Sequence, residues 1–163
     1  MGATPPPVQT ISHITVDIDG VAAAGDMDQL LFSACDPPSW TVEAPKHIFH
    51  GNDGTPQTII SAIQNPSYSP MTLTQGWDPN MVLAKWMADV QKPGEITDKK
   101  KKITVVFLDS NKQPLFQWYT ESGILTEFKH SASDASSNSV LTVTARIDAD
   151  TWELQDGSGS ALA

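Results

Sequence analysis

The sequence has little of what disulfide cross-linking, phosphate binding or membrane insertion would require. Its only cysteine is Cys35, so an internal disulfide framework is excluded. Its only arginine is Arg146, and nineteen acidic against ten basic residues give a net charge of −9, which argues against adsorption to nucleic acid. No apolar run approaches the roughly 20 residues of a membrane helix. The first ten residues lack the basic and apolar regions of a secretory signal.

Alternating apolar and polar residues predict several short β-strands. The clearest pattern lies near the C-terminus of the chain, where Leu141, Val143, Ala145 and Ile147 alternate with polar residues. A period of two gives a strand one buried and one exposed face. Comparable patterns predict further strands at 13–19, before Asp36-Pro37-Pro38, and at 71–77, a hairpin over 103–120 that turns near Ser110-Asn111, and one more strand at 124–130.

One segment has the signals of an α-helix. Asp78 can cap its start and Pro79 suits the first helical position. Leu83, Trp86, Met87 and Val90 follow with helical spacing and form one apolar stripe. The fold class we predict is therefore mainly β with one flanking α-helix, in a single domain over 11–154.

Three segments are predicted to lack regular structure. Residues 1–10, with three consecutive prolines, resemble a flexible arm, and residues 155–163 resemble a flexible tail. Residues 44–70 contain four prolines and two glycines and are predicted to be a long loop with little regular structure. A loop of that length inside one domain is usually functional.

The candidate chemical groups do not combine into a catalytic or metal site. Cys35 has no neighbouring base or helix N-terminus in the sequence, so a small buried hydrophobe is the better interpretation. His47 and His50 have a zinc-like spacing but no further ligands. Asp17-Ile18-Asp19-Gly20 lacks the remaining ligands of a calcium loop. We predict no catalytic, cofactor-binding or metal site, and no enzymatic activity.

The remaining charged and aromatic residues allow either packing or binding. The run Lys99–Lys102 can be a solvated turn or can contact an acidic neighbouring subunit. Tryptophans 77, 86 and 118 lie in predicted strands or the helix and are expected in the core. If the protein is instead a monomeric β-sandwich that binds a sugar or peptide, then Trp40, Tyr68 and Trp152 are its candidate binding platform.

Three blocks of the sequence resemble the tube-protein family of contractile tails. They are HITVDIDGV from His13, MTLTQGWDPNMVLAKWMADV from Met71, and the stretch from Ile103 to Ile147, which contains Trp118 and the DASSN motif at 134–138. That family includes the tail tubes of contractile phages and the inner tubes of phage-derived contractile injection systems. The chain departs from the family pattern at Ser139, where a glutamate is usual, and in the segment after Trp118.

The resemblance implies two packed antiparallel sheets that form a barrel-like sandwich, and a subunit that assembles into hexameric rings. The rings stack into a hollow conduit for DNA or effector cargo, and the 44–70 segment reaches the adjoining ring. The implied partners are other copies of the chain, a sheath protein, baseplate and terminator or cap proteins, and cargo. Assembly is expected in the bacterial cytoplasm, without membrane insertion of the isolated subunit.

Two questions about this assignment stay open in the sequence. The chain could be the main tube subunit or a baseplate-proximal initiator or cap homologue. The buried face of the 141–147 strand could pack on the second sheet or under the helix stripe, and its exposed face could contact solvent or a lumen. Alternatively, the strand could lie at a sheet edge and pair with the next subunit.

Overall fold

The structure, a computed structural model, describes residues 10–20, 32–60, 66–78, 80–131 and 140–162. It contains two helices, α1 (Val82–Val90) and α2 (Ile96–Lys99), within these ranges. The strands are β1 (His13–Ile18), β2 (Phe32–Asp36), β3 (Trp40–Thr41), β4 (Lys46–His50), β5 (Pro56–Ile60), β6 (Ser67–Tyr68), β7 (Met71–Gly76), β8 (Lys101–Leu108), β9 (Pro114–His130), β10 (Thr142–Asp148) and β11 (Glu153–Asp156). The predicted mainly β class is confirmed, with a second, short helix that the sequence analysis missed.

The strands form an antiparallel sheet in the order β1-β8-β9-β10-β7-β2. This sheet folds over into two layers, and the long strand β9 belongs to both of them. The first half of β9 pairs with β8 and β11, and its second half pairs with β10. The outermost strands β1 and β2 contact each other, so the sheet curls into a barrel-like sandwich. Two further two-stranded sheets lie outside this sheet: the β4–β5 hairpin, and the pair β3–β6, whose strands flank that hairpin in the chain.

The side chains that the alternation predicted as the buried face of the last long strand lie in the core. Val143, Ala145 and Ile147 of β10 are buried, and the neighbouring β7 contributes Met71 and Leu73. Helix α1 packs against β9. Its predicted stripe adds Leu83 and Trp86 to the same cluster, with Met87 and Val90 packed against it. Burying each large apolar side chain contributes roughly 1.5–3 kcal/mol.

Helix α1 begins four residues after Asp78, later than the sequence suggested. Asp78 is buried, and its two carboxylate oxygens accept the backbone N–H groups of Asn80 and Val82, each at 2.8 Å. Met81 precedes the helix with a left-handed backbone, φ 53°. Asp78 thus closes the turn from β7 into α1, and the predicted position of Pro79 lies outside the described residues.

The two predicted strands at 114–120 and 124–130 are one continuous strand, β9. Gly123 lies in its middle, where an added Cβ would be 2.3 Å from Cδ1 of Ile103 on β8. The missing side chain of Gly123 leaves room for Ile103 in the core. The pairing with β8 shifts register beside it, between Lys101 and Ile103.

The 44–70 segment has more regular structure than predicted. β4 and β5 pair over five residues each, from Lys46↔Ile60 to His50↔Pro56. Their turn has the backbone N–H of Gly51 donating to the carbonyl of Thr55 at 2.9 Å, and Gly54 has φ 77°. The prolines hid this hairpin in the sequence because Pro56 occupies the first position of a strand, where it is tolerated.

The C-terminal residues also form regular structure where we expected a loose tail. β11 extends to Asp156, whose carboxylate oxygen Oδ1 accepts the backbone N–H groups of Ser158 and Ser160, each at 2.9 Å. Gln155 bridges to Ala161 beyond this turn. The predicted N-terminal arm lies, except for Thr10, outside the described residues.

Candidate assembly surfaces

The β4–β5 hairpin has apolar side chains on both of its faces, and all of its strand residues are exposed. The pairing places Ile48 and Ile60 on one face and Phe49 and Ile59 on the other. Their exposed fractions are 65%, 58%, 54% and 51% in that order. The sequence signal was present, since GNDG is a turn motif between two β-rich runs.

A second apolar surface lies where β7 leads into α1. Trp77 is 52% exposed and Met81 is 43% exposed, so the prediction that Trp77 belongs to the core is wrong. These two side chains, with Phe128 and His130 of β9, line a small pocket of about 10 Å³. Trp77 escapes the core because β7 ends at Gly76, and the alternation that buries Leu73 and Gln75 ends there too.

Cys35 is partly buried on β2, and its environment disfavours the thiolate. Burial, with a smaller contribution from the neighbouring Asp36 carboxylate, raises the pKa of Cys35 to about 12. A nucleophilic cysteine needs the opposite shift. Cys35 packs against the core cluster, as the packing interpretation predicted.

The histidine pair does not converge. His47 and His50 are three residues apart on the extended strand β4, so they lie on opposite faces of the hairpin. Asp17 and Asp19 are exposed at the end of β1, where the backbone N–H of Asp19 donates to the carbonyl of Lys102 at 3.0 Å. Within the part of the chain that the structure describes, no three His, Cys, Asp or Glu side chains are grouped to hold a metal ion.

The three aromatic residues considered as a binding platform separate into different environments. Trp152 is 3% exposed and belongs to the core, as do Trp86 and Trp118. Trp40 is 50% exposed and contacts Trp118 edge-on, with ring centroids 5.2 Å apart. Tyr68 is the antiparallel partner of Trp40 in the two-stranded β3–β6 sheet. The surface therefore offers two of the three rings, which weakens the case for a sugar or peptide platform.

Lys99 and Lys100, in the basic run before β8, are engaged within the chain. Lys99 Nζ donates to the backbone carbonyl of Asp89 at 2.9 Å, and Lys100 forms an ion pair with Asp150. Lys102 is exposed, and Lys101 is partly buried beside Gly20. The run is therefore not a uniformly solvated turn.

No helix among the described residues is long and apolar enough to cross a membrane.

The fold and these surfaces define a class: a β-barrel-like sandwich that carries large apolar side chains where another protein can cover them. The comparisons with known proteins agree. The family model described as "T4-like virus tail tube protein gp19" matches residues 15–153. The chain belongs to this tail tube family, and it is a structural tube component of contractile systems, not an enzyme.

Solved structures share the fold at low sequence identity. The tube-terminating cap of the anti-feeding prophage is 18% identical, with a TM-score of 0.63 over 96% of this chain and 95% of that one. The sheath–tube complex of an extracellular contractile injection system contains a chain that is 18% identical, with a TM-score of 0.60 and 93% of both chains covered. Hcp1 from Flavobacterium johnsoniae is 14% identical, with a TM-score of 0.55 over 93% of this chain and 98% of that one. No curated protein matches the chain by sequence.

Proposed function

We propose that six copies of this chain close into a ring, and that the rings stack into the hollow inner tube of a contractile tail or injection system. The tube is a conduit for DNA or protein effector cargo. The chain is assembled in the bacterial cytoplasm and becomes part of a virion tail or an injection particle.

The β4–β5 hairpin is the observation that carries this proposal. No residue that the structure describes covers its two apolar faces, and a two-stranded hairpin is marginally stable alone. Ile48 and Ile60 need one covering surface, and Phe49 and Ile59 need another. If the hairpin inserts between subunits of an adjoining ring, those subunits cover both of its faces. We therefore propose that the 44–70 segment forms the contact between rings.

Unpaired strand edges support closure within a ring. Among the described residues, β9 beyond Gly123 pairs with β10 on one side only. Exposed edges invite pairing with another chain, and a closed ring of copies removes them.

The other partners are proposed from the assemblies to which the similar structures belong. These include a sheath–tube complex, a sheath/tube terminator and a baseplate. We accordingly propose that a sheath protein surrounds the tube, and that baseplate and terminator or cap proteins contact its ends. The acidic balance of the chain would let acidic cargo pass without adsorbing.

Electron microscopy and light scattering of the purified protein test the proposal. The wild-type chain should form rings or short tubes. The F49S/I59S double variant should remain monomeric and folded, because both side chains are exposed in the single chain. The matched control is Q57S/T58S, which changes two exposed polar residues of the same hairpin. A wild-type chain that stays monomeric at every concentration would refute the proposal.

A tube-ending role is the second candidate, because a tube-terminating cap shares the fold over 96% of this chain. A main tube protein is present in many rings, whereas a cap or an initiator is present in few copies. Counting copies of the chain per purified particle separates the two roles.

A further inference from the structure

Basic residues are concentrated in one part of this acidic chain. Residues 85–102 contain six of the ten basic side chains and three acidic ones, a net charge of +3. The rest of the sequence has four basic and sixteen acidic residues, a net charge of −12. The chain therefore has one basic region that is complementary in charge to most of its own sequence.

This basic region borders an open cleft of about 240 Å³, which we call the lysine cleft. It is lined by Gly20, Lys85, Trp86, Asp89, Lys92 and Lys101. Lys85, Asp89 and Lys92 come from α1 and the turn after it, and Lys101 begins β8. The Lys101 ammonium lies over the backbone of Gly20, 3.7 Å from where a Cβ would be. Three cationic side chains thus border a space with one carboxylate.

That carboxylate is already paired. Lys92 Nζ lies 3.2 Å from Oδ1 of Asp89. The hydrogen bond from Lys92 and then the charge of Lys99 hold the pKa of Asp89 below its usual value, and Lys101 acts in the same direction. The side-chain ammonium groups of Lys85 and Lys101 form no ion pair or hydrogen bond with any residue that the structure describes. Because Asp89 pairs with Lys92, the ammonium groups of Lys85 and Lys101 remain available to bind a ligand.

A buried donor lies in the wall of the same cleft. Trp86 is 2% exposed, and its indole Nε1 has no hydrogen-bond partner among the described residues. A buried unsatisfied N–H group is unfavourable, so a feature of this kind needs an explanation. Every unused polar side-chain group identified at this cleft is thus a donor, and the fitting ligand is a strong acceptor with negative charge.

We propose that the lysine cleft binds a carboxylate on the acidic surface of a second copy of this chain. The inference rests on the proposed tube assembly, which brings copies into contact. Lys85 and Lys101 pair with the incoming carboxylate, and the bound carboxylate changes the surroundings of the Trp86 indole, which lines the cleft. This contact is electrostatic and separate from the apolar contacts of the β4–β5 hairpin.

The first test compares K85Q/K101Q with K102Q/K112Q, a control with the same change in charge on two exposed lysines outside the cleft and outside the unpaired edge of β9. In 0.15 M salt, K85Q/K101Q should need roughly three- to tenfold more protein to assemble than the control, as expected for the loss of two exposed ion pairs. At 1 M salt the two should be alike, because the screening length falls to about 3 Å. Equal assembly in both salts would overturn this inference and leave the tube proposal standing. A wild-type chain that never assembles would overturn both.

The second test follows the indole N–H resonance of Trp86 by NMR, assigned by its absence in Trp86→Phe. A tetraglutamate peptide should shift this resonance saturably in the wild-type chain, and the shift should be at least threefold weaker in K85Q/K101Q. A tetraglutamine peptide should leave it unchanged. A resonance that does not respond to tetraglutamate, or responds equally to both peptides, would overturn the carboxylate site.

Discussion

The β4–β5 hairpin and the β7–β10 pair are both antiparallel, but they use apolar residues in opposite ways. In β7 and β10, one face is apolar and fully covered, as at Leu73, Ala145 and Ile147, each 0% exposed. In the hairpin both faces are apolar, and Ile48 and Phe49 are more than half exposed. The first arrangement stabilises the isolated chain, whereas the second stabilises it only when a neighbour covers the hairpin.

The largest expected effect comes from truncating one residue in each region. Leu73→Ala should lower the free energy of unfolding by about 2–5 kcal/mol, because it removes buried contacts and leaves a cavity. Ile48→Ala should change it by less than about 0.5 kcal/mol in the monomer, because the side chain is 65% exposed. Urea denaturation of the two variants measures the difference. Equal losses would mean that the hairpin folds onto the barrel of its own chain.

Thiol labelling gives the next largest contrast. Cys35, with its pKa raised to about 12, should react with iodoacetamide at pH 8 on the order of a hundredfold or more slowly than a cysteine introduced at Thr58 on the exposed β5 strand. Mass spectrometry of the T58C variant measures both rates in one chain. Denaturant should abolish the difference, and similar rates in the native chain would contradict the environment described for Cys35.

A third region, the C-terminal turn, depends on close backbone contact and not on a buried face. A Cβ on Gly157 would lie 2.3 Å from the carbonyl oxygen of Pro114 at the start of β9. Gly157→Ala should therefore cost roughly 1–3 kcal/mol of stability as the turn is displaced. Gly76→Ala is the control, since its Cβ would meet nothing within 4 Å. If the two variants melt at the same temperature, the turn does not pack as described.

The sequence predicted the regions in which the spacing of apolar residues reflects their burial. Leu83 and Trp86 were placed in the core by helical spacing, and the 141–147 alternation identified the inner face of β10. The hairpin was missed for two reasons: Pro56 opens its second strand, and residues that are apolar on both faces show no alternation. Trp77 was misplaced because its surroundings are set by where β7 ends. The lysine cleft depends on α1 meeting the start of β8, a tertiary contact that spacing along the chain does not reveal.

The smallest expected effect concerns the tip of the hairpin at low pH. The side-chain hydrogen bond with Thr55, and then its backbone N–H at 3.0 Å, hold the pKa of Asp53 below 3.8. Because folding lowers the pKa of Asp53, its carboxylate stabilises the native turn at pH values above its pKa in the unfolded chain. That stabilisation is lost as the pH falls through the pKa in the folded chain. The NMR resonance of the Thr55 amide should therefore shift with a midpoint below 3.8, while that of Leu73 in the barrel stays unchanged. Asp53→Ala should abolish the titration. A midpoint at or above 3.8 would show that the carboxylate does not fix the turn, and that the hairpin depends on its neighbours for its shape as well as for its cover.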